Sequence, residues 1–304
     1  MPRILHLFDV SPFIHAGKGN KYSRLERVIK EGSTWKTQVT PTGGISWLFN
    51  TLYEVVGTGD CVFCCDRNPT IKKDILPSYK SNRNHDDNVT VQKAVAEYIL
   101  QQCNGTVLAR AGYEADDIIF TLVKKLHNAY DEIYIYTGDS DLYFLVDNTV
   151  SIRPSSSRAK SVDRWNYEKV LENKGARYNT LTMQKIIKGD SSDCIPALPT
   201  KDQIRMSQVF YNDAMYEHLG DPEFVRQWTE YAFPELMTQV NLVFPLEVEN
   251  LPDEFSQVDK NMVRNWGIAI KNKMFRGMPC SPDFDIKYYV EEMQNLGYYV
   301  EEQN

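Results

Sequence analysis

Gly112-Tyr113-Glu114-Ala115-Asp116-Asp117 runs directly into Ile118, Ile119, Leu122, Val123 and Leu126. These apolar residues recur at i, i+3 and i+4, the pattern of an amphipathic helix with one face on a core. The three carboxylates therefore fall in the first helical turn. One acid there is ordinary, because it complements the helix dipole and the unpaired N–H groups. Three exceed what capping needs. Crowded carboxylates repel, and bringing them together calls for cations, most simply divalent metal ions with oxygen ligands. Asp116 stands three residues before Ile119 and leans toward the packed side, whereas Glu114 and Asp117 share a neighbouring face. Asp116 is thus the strongest candidate for a direct ligand.

Outward from this stretch the chain alternates short apolar strands with helices. Ile4 to Phe8 reads as a buried strand ending in Asp9, followed by a polar loop through Gly17-Lys18-Gly19-Asn20-Lys21 that lacks the spacing of a phosphate-binding P-loop. A helix is predicted from about Gly43 to Val56, a strand from Cys61 to Cys65 ending in Asp66, and a helix from Val91 to Gln101. The strand Thr106 to Ala109 leads into the opening stretch. Glu132 to Tyr136 forms a further strand that runs into Thr137-Gly138-Asp139-Ser140-Asp141, then a short helix over Leu142 to Val146 and a strand over Thr149 to Ile152. Such alternation implies a parallel α/β sheet, in which ligands bind beyond the carboxyl ends of the strands. Asp9, Asp66, Glu114, Asp116, Asp117, Asp139 and Asp141 all fall at that edge. Any one could cap a helix; acids ending nearly every strand make an odd set of caps.

At 304 residues the chain exceeds the usual single domain, so one large and one smaller unit are expected. The composition, 42% hydrophobic and 25% charged, is that of an ordinary soluble globular protein. No apolar run approaches a membrane span, and Asp9 interrupts the amino-terminal run too early for a signal peptide, so no membrane association and a cytoplasmic location are expected. Six cysteines at 61, 64, 65, 103, 194 and 280 lack zinc spacing and read as small buried thiols in a reducing compartment. His6, His15, His85, His127 and His218 show no ligand spacing either.

The net charge of −7 does not exclude a nucleic-acid partner, since clustered acids contribute much of it while basic stretches remain. Residues 18 to 36 carry Lys18, Lys21, Arg24, Arg27, Lys30 and Lys36 against Glu26 and Glu31, which reads either as a solvated helix face or as a phosphate-contacting patch. Lys72 to Arg83 is basic with an interleaved tyrosine and suits single-stranded nucleic acid, or a plain exposed helix. Beyond Ser155-Ser156-Ser157-Arg158, a domain junction, the pattern turns helical, with helices at Tyr167 to Asn173 and Leu181 to Lys188. Lys188-Gly189-Asp190-Ser191-Ser192-Asp193-Cys194-Ile195-Pro196 then adds two acids in a turn. Aromatics from Phe210 to Phe275 read as a helical core, and Asp283 to Asn304 as an acidic peripheral helix with a loose tail.

Four motifs in this order, Tyr79-Lys80 followed by Asn82-Arg83, G-Y-E-A-D-D, T-G-D-S-D-L and G-D-S-S-D-x-I-P, resemble the 5′-nuclease family, and the size and divergent carboxyl third are most similar to its free-standing phage members. The resemblance covers about Ile4 to Pro199. It implies an α/β PIN-like domain over residues 1–155, a parallel twisted sheet flanked by helices, with an arch or clamp at about 70–92. It further implies a smaller helical domain over 156–304 with a helix-three-turn-helix element at about 181–210. Carried over by motif, Asp9, Asp66, Glu114, Asp116 and Asp117 would hold one metal ion, and Asp139, Asp141, Asp190 and Asp193 a second. Lys80 and Arg83 match arch residues that contact the scissile phosphate, and Tyr79 one that stacks a base. The implied activity is 5′-to-3′ exonuclease or flap endonuclease action on DNA 5′ ends or flaps, with RNA primers in RNA–DNA hybrids as a further substrate, in phage replication within the host cytoplasm. A monomer is implied, with a single-strand-binding protein or sliding clamp as further partners. An all-carboxylate set without histidine favours two Mg²⁺ or Mn²⁺ ions over zinc, ions that neutralise an anionic phosphodiester, activate water and stabilise the leaving 3′ oxygen. Lys80 and Arg83 would add electrostatic stabilisation.

The chain departs from the family where a glycine hairpin usually follows Pro196. Here it reads Ala197-Leu198-Pro199-Thr200-Lys201-Asp202-Gln203-Ile204, with side chains where backbone N–H groups would approach a duplex phosphate. Lys201 and Arg205 are the candidate phosphate contacts in its place, and Cys194 stands where the family has asparagine. A nucleic-acid-binding protein of the same fold with weak or altered nuclease activity is the alternative this loss suggests. An aspartate-nucleophile phosphatase is disfavoured, because it needs a second acid two positions after Asp9 and Ser11 stands there.

Overall fold

The computed structural model describes residues 2–17, 24–31, 33–41, 43–83, 87–155, 166, 168–169, 178–210, 218 and 221–271. Its centre is a five-stranded parallel sheet built from β1 (Ile4–Asp9), β4 (Asp60–Cys64), β5 (Thr106–Leu108), β6 (Glu132–Thr137) and β7 (Val150–Pro154), in the order β5-β4-β1-β6-β7. β1 is central and its chain order reverses on either side, so the carboxyl ends of β1, β4 and β6 open on one crevice.

Both faces of this sheet are covered, and the period of two along each strand assigns residues to them. Phe8, Cys61, Phe63, Tyr134 and Tyr136 face one core with α1 (Val10–Gly17), α2 (Gly43–Val55) and α4 (Asp87–Gln102). Leu5, Leu7, Val62, Cys64, Ile133 and Ile135 face the other with α5 (Ala115–Leu126) and the 3₁₀ turn Ser140–Leu145. Phe8 stacks on Tyr136 at 4.2 Å and on Phe63 at 5.2 Å, each its register partner across the ladder. A third core joins α6 (Tyr178–Lys188), α7 (Thr200–Phe210), α8 (Pro222–Ala232) and α9 (Met237–Val243) to Tyr79, Phe120 and Phe144 of the first half. α10 (Lys260–Lys271) returns to the first core through Val263 and Trp266. α3 (Thr70–Ile75) precedes the turns that carry Tyr79 to Arg83.

Several expectations change. Val10 to Gly17 is helical at once after β1, with Val10, Phe13 and Ile14 buried at helical spacing, where a polar loop was expected. Residues 24–41 form an antiparallel hairpin, β2 (Arg24–Glu31) with β3 (Thr34–Pro41), so the helix-face reading of that basic stretch is wrong. The helix predicted at Tyr167 to Asn173, most of the junction at Ser155 to Arg158, His85 and the tail Asp283 to Asn304 lie outside the described residues, in whole or in large part. Cys61, Cys64, Cys65 and Cys103 are all buried. His6 is a core residue whose ring nitrogens meet Tyr136 Oη at 3.0 Å and Thr58 Oγ1 at 2.9 Å. Burial and the nearby Arg153 hold it neutral, with its pKa lowered to about 4. Among the described residues no helix is long and apolar enough to cross a membrane.

Candidate functional site

β1 delivers Asp9 at its last position, buried, where Thr137 Oγ1 at the end of β6 donates to Asp9 Oδ2 at 2.9 Å. The chain after β4 brings in Asp66, whose Oδ1 accepts from the Ala115 backbone N–H at 3.0 Å and whose Oδ2 accepts from Ser11 Oγ. That contact ties one strand end to the first turn of α5. Asp139 caps the 3₁₀ turn: its backbone N–H donates to Thr137 Oγ1 at 3.1 Å, and its Oδ1 accepts from the Asp141 N–H at 3.0 Å.

The electrostatics record how close these acids are. Burial first, then the charge of Asp66, push Asp9 well above the usual carboxylate range. Asp116 is raised for the same reasons, by burial and then by Asp139, Asp9 and Glu114. Asp141 is pushed up to about 7 by burial and Asp139, against the opposing pull of Lys185. Asp66 goes the other way: burial would raise it, but Lys93 at 3.4 Å, Ser11 and the Ala115 N–H together hold it well below the usual range. Among the described residues Asp9, Asp116 and Asp139 make no ion pair.

Glu114 sits beside this group and is neutralised by the protein itself. It accepts from Tyr79 Oη at 2.8 Å, from Lys72 Nζ at 3.2 Å and from Lys80 Nζ. Burial opposes its ionisation, and Lys72 and Lys80 overcome that to lower its pKa. Asp193 faces the same cations, with Arg83 Nη2 at 2.7 Å from Oδ1 and Lys80 Nζ at 3.7 Å from Oδ2. The oxygens of Asp141, Asp190 and Asp193 lie within 4.8 Å of one another. Lys185, which the sequence did not single out, bridges two of them: its Nζ contacts Asp141 Oδ1 and lies 2.7 Å from Asp190 Oδ2. The only sequence signal was its place in the last turn of a helix that leads into the second acidic turn.

Two expected site residues do other work. Asp117 is 1% exposed, and both its oxygens are committed to backbone: Oδ2 accepts from the Glu114 N–H at 2.9 Å and Oδ1 from the Leu246 N–H at 2.6 Å. These two bonds make it the link between α5 and the segment leading out of α9, a link that Thr121 extends by accepting from the Val248 N–H at 2.9 Å. Tyr79, expected to stack a base, is 1% exposed; its ring lies beneath Lys72 and Lys80 in the third core, and Asp193 Oδ2 is a second acceptor for its hydroxyl at 3.3 Å. No face of the ring is free for a base. Lys72, read as a nucleic-acid contact, is likewise a buried partner of Glu114 and Asp117. Lys201 and Arg205 stand exposed on α7, where Arg205 covers the Phe233 ring at 4.2 Å and pairs with Glu235 at 3.7 Å.

The turn between α6 and α7, where the family has a glycine hairpin, is held by its own backbone and by neighbouring segments. Asp190 and Ile195 bridge, Lys80 N–H and Asn82 Nδ2 donate to the Asp193 and Ser191 carbonyls at 3.0 and 2.9 Å, and Gln203 and Gln239 side chains cap the Leu198 and Pro196 carbonyls. Gly189 has φ +74°, and a Cβ there would stand 2.5 Å from the Ile195 carbonyl oxygen, so glycine is required. Cys194 has φ +59°, a region that asparagine tolerates and cysteine does not favour. Cys194→Asn is therefore expected to stabilise the protein by about 1 kcal/mol, read from urea denaturation; an unchanged or lower midpoint would show that the cysteine side chain contributes more than its backbone costs.

The donor set is oxygen only, crowded and partly uncompensated, and it fits hard divalent cations better than zinc or copper. Residues 24–175 match the family described as 5′-3′ exonuclease, N-terminal resolvase-like domain. The chain is 36% identical over 130 residues to DNA polymerase I of Caldicellulosiruptor bescii, covering 42% of this chain and 15% of that protein. It is 32% identical over 158 residues to the 5′-3′ exonuclease of Streptomyces coelicolor and 30% over 163 residues to that of Bacillus subtilis. Those two alignments cover 45% and 52% of this chain, and 50% and 55%, about half, of the relatives. The fold is similar to that of the bacteriophage T5 flap endonuclease solved with DNA and metal ions, with a TM-score of 0.55 at 16% identity over 98% of this chain and 100% of that one. It is also similar to that of the T5 5′-exonuclease solved with zinc, with a TM-score of 0.53 at 16% identity over 88% and 93%. The match over half the sequence, and a sheet whose carboxyl edge gathers the acids, mean that this chain belongs to the 5′-3′ exonuclease family defined by the N-terminal resolvase-like domain.

Proposed function

We propose that the protein is a divalent-cation-dependent 5′-nuclease that hydrolyses phosphodiester bonds at DNA 5′ ends or flaps, using Mg²⁺ or Mn²⁺ at two neighbouring positions. The observation that carries this reading is the gathering of Asp9, Asp66, Asp116, Asp139 and Asp141 at the carboxyl edge of one sheet, with Asp141, Asp190 and Asp193 offering oxygens within 4.8 Å of one another. Asp9, Asp66, Glu114 and Asp116 would hold one ion, and Asp139, Asp141, Asp190 and Asp193 the other. Bound there, such ions supply charge neutralisation for the phosphate and activation of water. Lys80 reaches both Glu114 and Asp193, and Arg83 is half exposed beside it, so both can turn from carboxylate to phosphate when DNA arrives. Buried Tyr79 and Lys72 position Glu114 from below. We assign the catalytic unit to residues 1–155 and the helix-three-turn-helix to α6, α7 and their joining turn, with Lys201 and Arg205 as its duplex contacts.

RNA in RNA–DNA hybrids, a phage replication setting and recruitment by a single-strand-binding protein or sliding clamp belong to the same reading. The turn that stands in place of a glycine hairpin has its Leu198 and Pro196 carbonyls capped by Gln203 and Gln239, which favours weaker duplex grip, and so a preference set more by the 5′ end than by the duplex. A cleavage panel tests this: 5′ flap, nicked duplex, single strand and RNA–DNA hybrid, each 5′-labelled, incubated with Mg²⁺. Short labelled products from the flap, lost in chelator, are expected. Binding of all four with cleavage of none would instead support a nucleic-acid-binding protein of this fold.

A further inference from the structure

The acids of this edge divide by what faces them. Among the described residues Asp9 and Asp116 pair with no cation of the protein, while Asp66 and Glu114 beside them pair with Lys93 and with Lys72 and Lys80; Asp141, Asp190 and Asp193 are all engaged, the first two by Lys185 and the third by Arg83 and Lys80. Lys185 belongs to the last turn of α6, Asp141 to the 3₁₀ turn after β6, and Asp190 to the turn after α6. Its ammonium therefore joins a strand end to a helix end at the point where three carboxylates converge. An ammonium bridging two carboxylates uses the same oxygen lone pairs, and answers the same negative field, as a divalent cation would. The two cannot share those oxygens. Its four-carbon stem also leaves it free to withdraw, the side chain being 25% exposed.

We propose that Lys185 is an internal competitor for the divalent cation at Asp141, Asp190 and Asp193, so that this position fills only when the ammonium leaves. The inference rests on the cation-site reading above and concerns the strength of filling. A site available in only a fraction of molecules binds with an affinity reduced by that fraction. The lysine thus keeps the second position weak in the absence of substrate.

The test is Mn²⁺ titration of the full chain without DNA, by calorimetry, with melting in chelator as a second readout. Wild type is expected to show one tighter and one weaker class of site. In Lys185→Met the weaker class tightens about tenfold or more, while melting in chelator falls because two acids lose their partner. Lys185→Gln, titrated beside it, follows the same direction, and Lys185→Arg keeps the class weak. Lys188→Met removes the same charge from an exposed position one turn away and is expected to shift affinity by less than about twofold, since exposed charges are screened. An unchanged or weakened second class in both Lys185→Met and Lys185→Gln, or equal tightening in Lys188→Met, would overturn the competitor role while leaving the cation site standing. Wild type that binds no Mn²⁺ would overturn the cation-site reading itself and this inference with it.

Discussion

Asp116→Asn is expected to reduce DNA cleavage on the order of 1,000-fold, and at the same time to raise the thermal stability of the metal-free protein. Loss of activity with gain of stability distinguishes a functional acid from a structural one. Asp116 is half-buried, and desolvation together with the charges of Asp139, Asp9 and Glu114 disfavours its ionised form in the folded state, so its pKa lies above the unfolded value. A carboxyl of that kind destabilises the fold as pH rises through its folded pKa, and it imposes no penalty below its unfolded pKa, where both states are protonated. The stability gain in Asp116→Asn is therefore largest above neutral pH and fades as pH falls toward 4. Saturating Mg²⁺ should reverse the order, because the wild type gains the larger binding free energy. Chemical denaturation in chelator and in Mg²⁺, at pH 5 and 8, reads all of this. A variant less stable than wild type in chelator at pH 8 would mean that Asp116 is held by contacts outside the acidic edge.

Lys72→Met is expected to cost about 3–5 kcal/mol of stability, the largest thermodynamic effect at any single position of the site. Lys72 is 4% exposed and lies 3.2 Å from Glu114 and 3.8 Å from Asp117, themselves buried. Removing the ammonium leaves two carboxylates short of a partner in a dry environment, and the cost is that of the stranded charges. Methionine fills much the same volume, so lost packing contributes little. The contrast with Lys80→Met is informative: Lys80 also pairs with Glu114, but stands closer to the opening beside Arg83, and its replacement should affect cleavage more than stability. Urea midpoints together with single-turnover cleavage rates measure both. A Lys72→Met protein as stable as wild type would remove the buried ion pair from the account of how α5 is anchored.

The sheet and its acidic edge were legible in the sequence because strand ends punctuate themselves. Ile4 to Phe8, Cys61 to Cys65 and Glu132 to Tyr136 are apolar runs each followed by an acid within a few residues, and the topology needs only that those ends share a side. The hairpin at residues 24–41 was not legible because Arg24 to Ile29 keeps no strict alternation of polar and apolar residues, and its partner strand carries only Trp35 and Val39 as large apolar residues at even spacing. The helix after β1 was missed although Val10, Phe13 and Ile14 carry its spacing. Tyr79 and Lys185 are different in kind. A tyrosine between a proline-containing turn and a lysine has no local mark of burial; the third core that encloses it is assembled from residues 100 or more positions away, such as Met183, Ile186 and Ile195. The Lys185 pair with Asp141 spans 44 positions, and from sequence alone a lysine near a helix end is one more solvated charge. Asp117 shows the limit most clearly: its neighbours Glu114 and Asp116 face the acidic edge, and only the return of Leu246 to the helix turns it into a backbone anchor.

The central claim is that the carboxyl edge of this sheet is a divalent-cation site built around Asp116. Electron paramagnetic resonance of Mn²⁺ in the presence of the metal-free protein tests it directly, since only free Mn²⁺ gives the sharp six-line signal. Wild type is expected to deplete that signal and to release the ion on addition of excess Mg²⁺, and Asp116→Asn is expected to lose the tighter class of bound ion and so deplete the signal clearly less while remaining folded. A wild-type protein that leaves the Mn²⁺ signal intact, or a folded Asp116→Asn that depletes it as fully as wild type, would contradict the account.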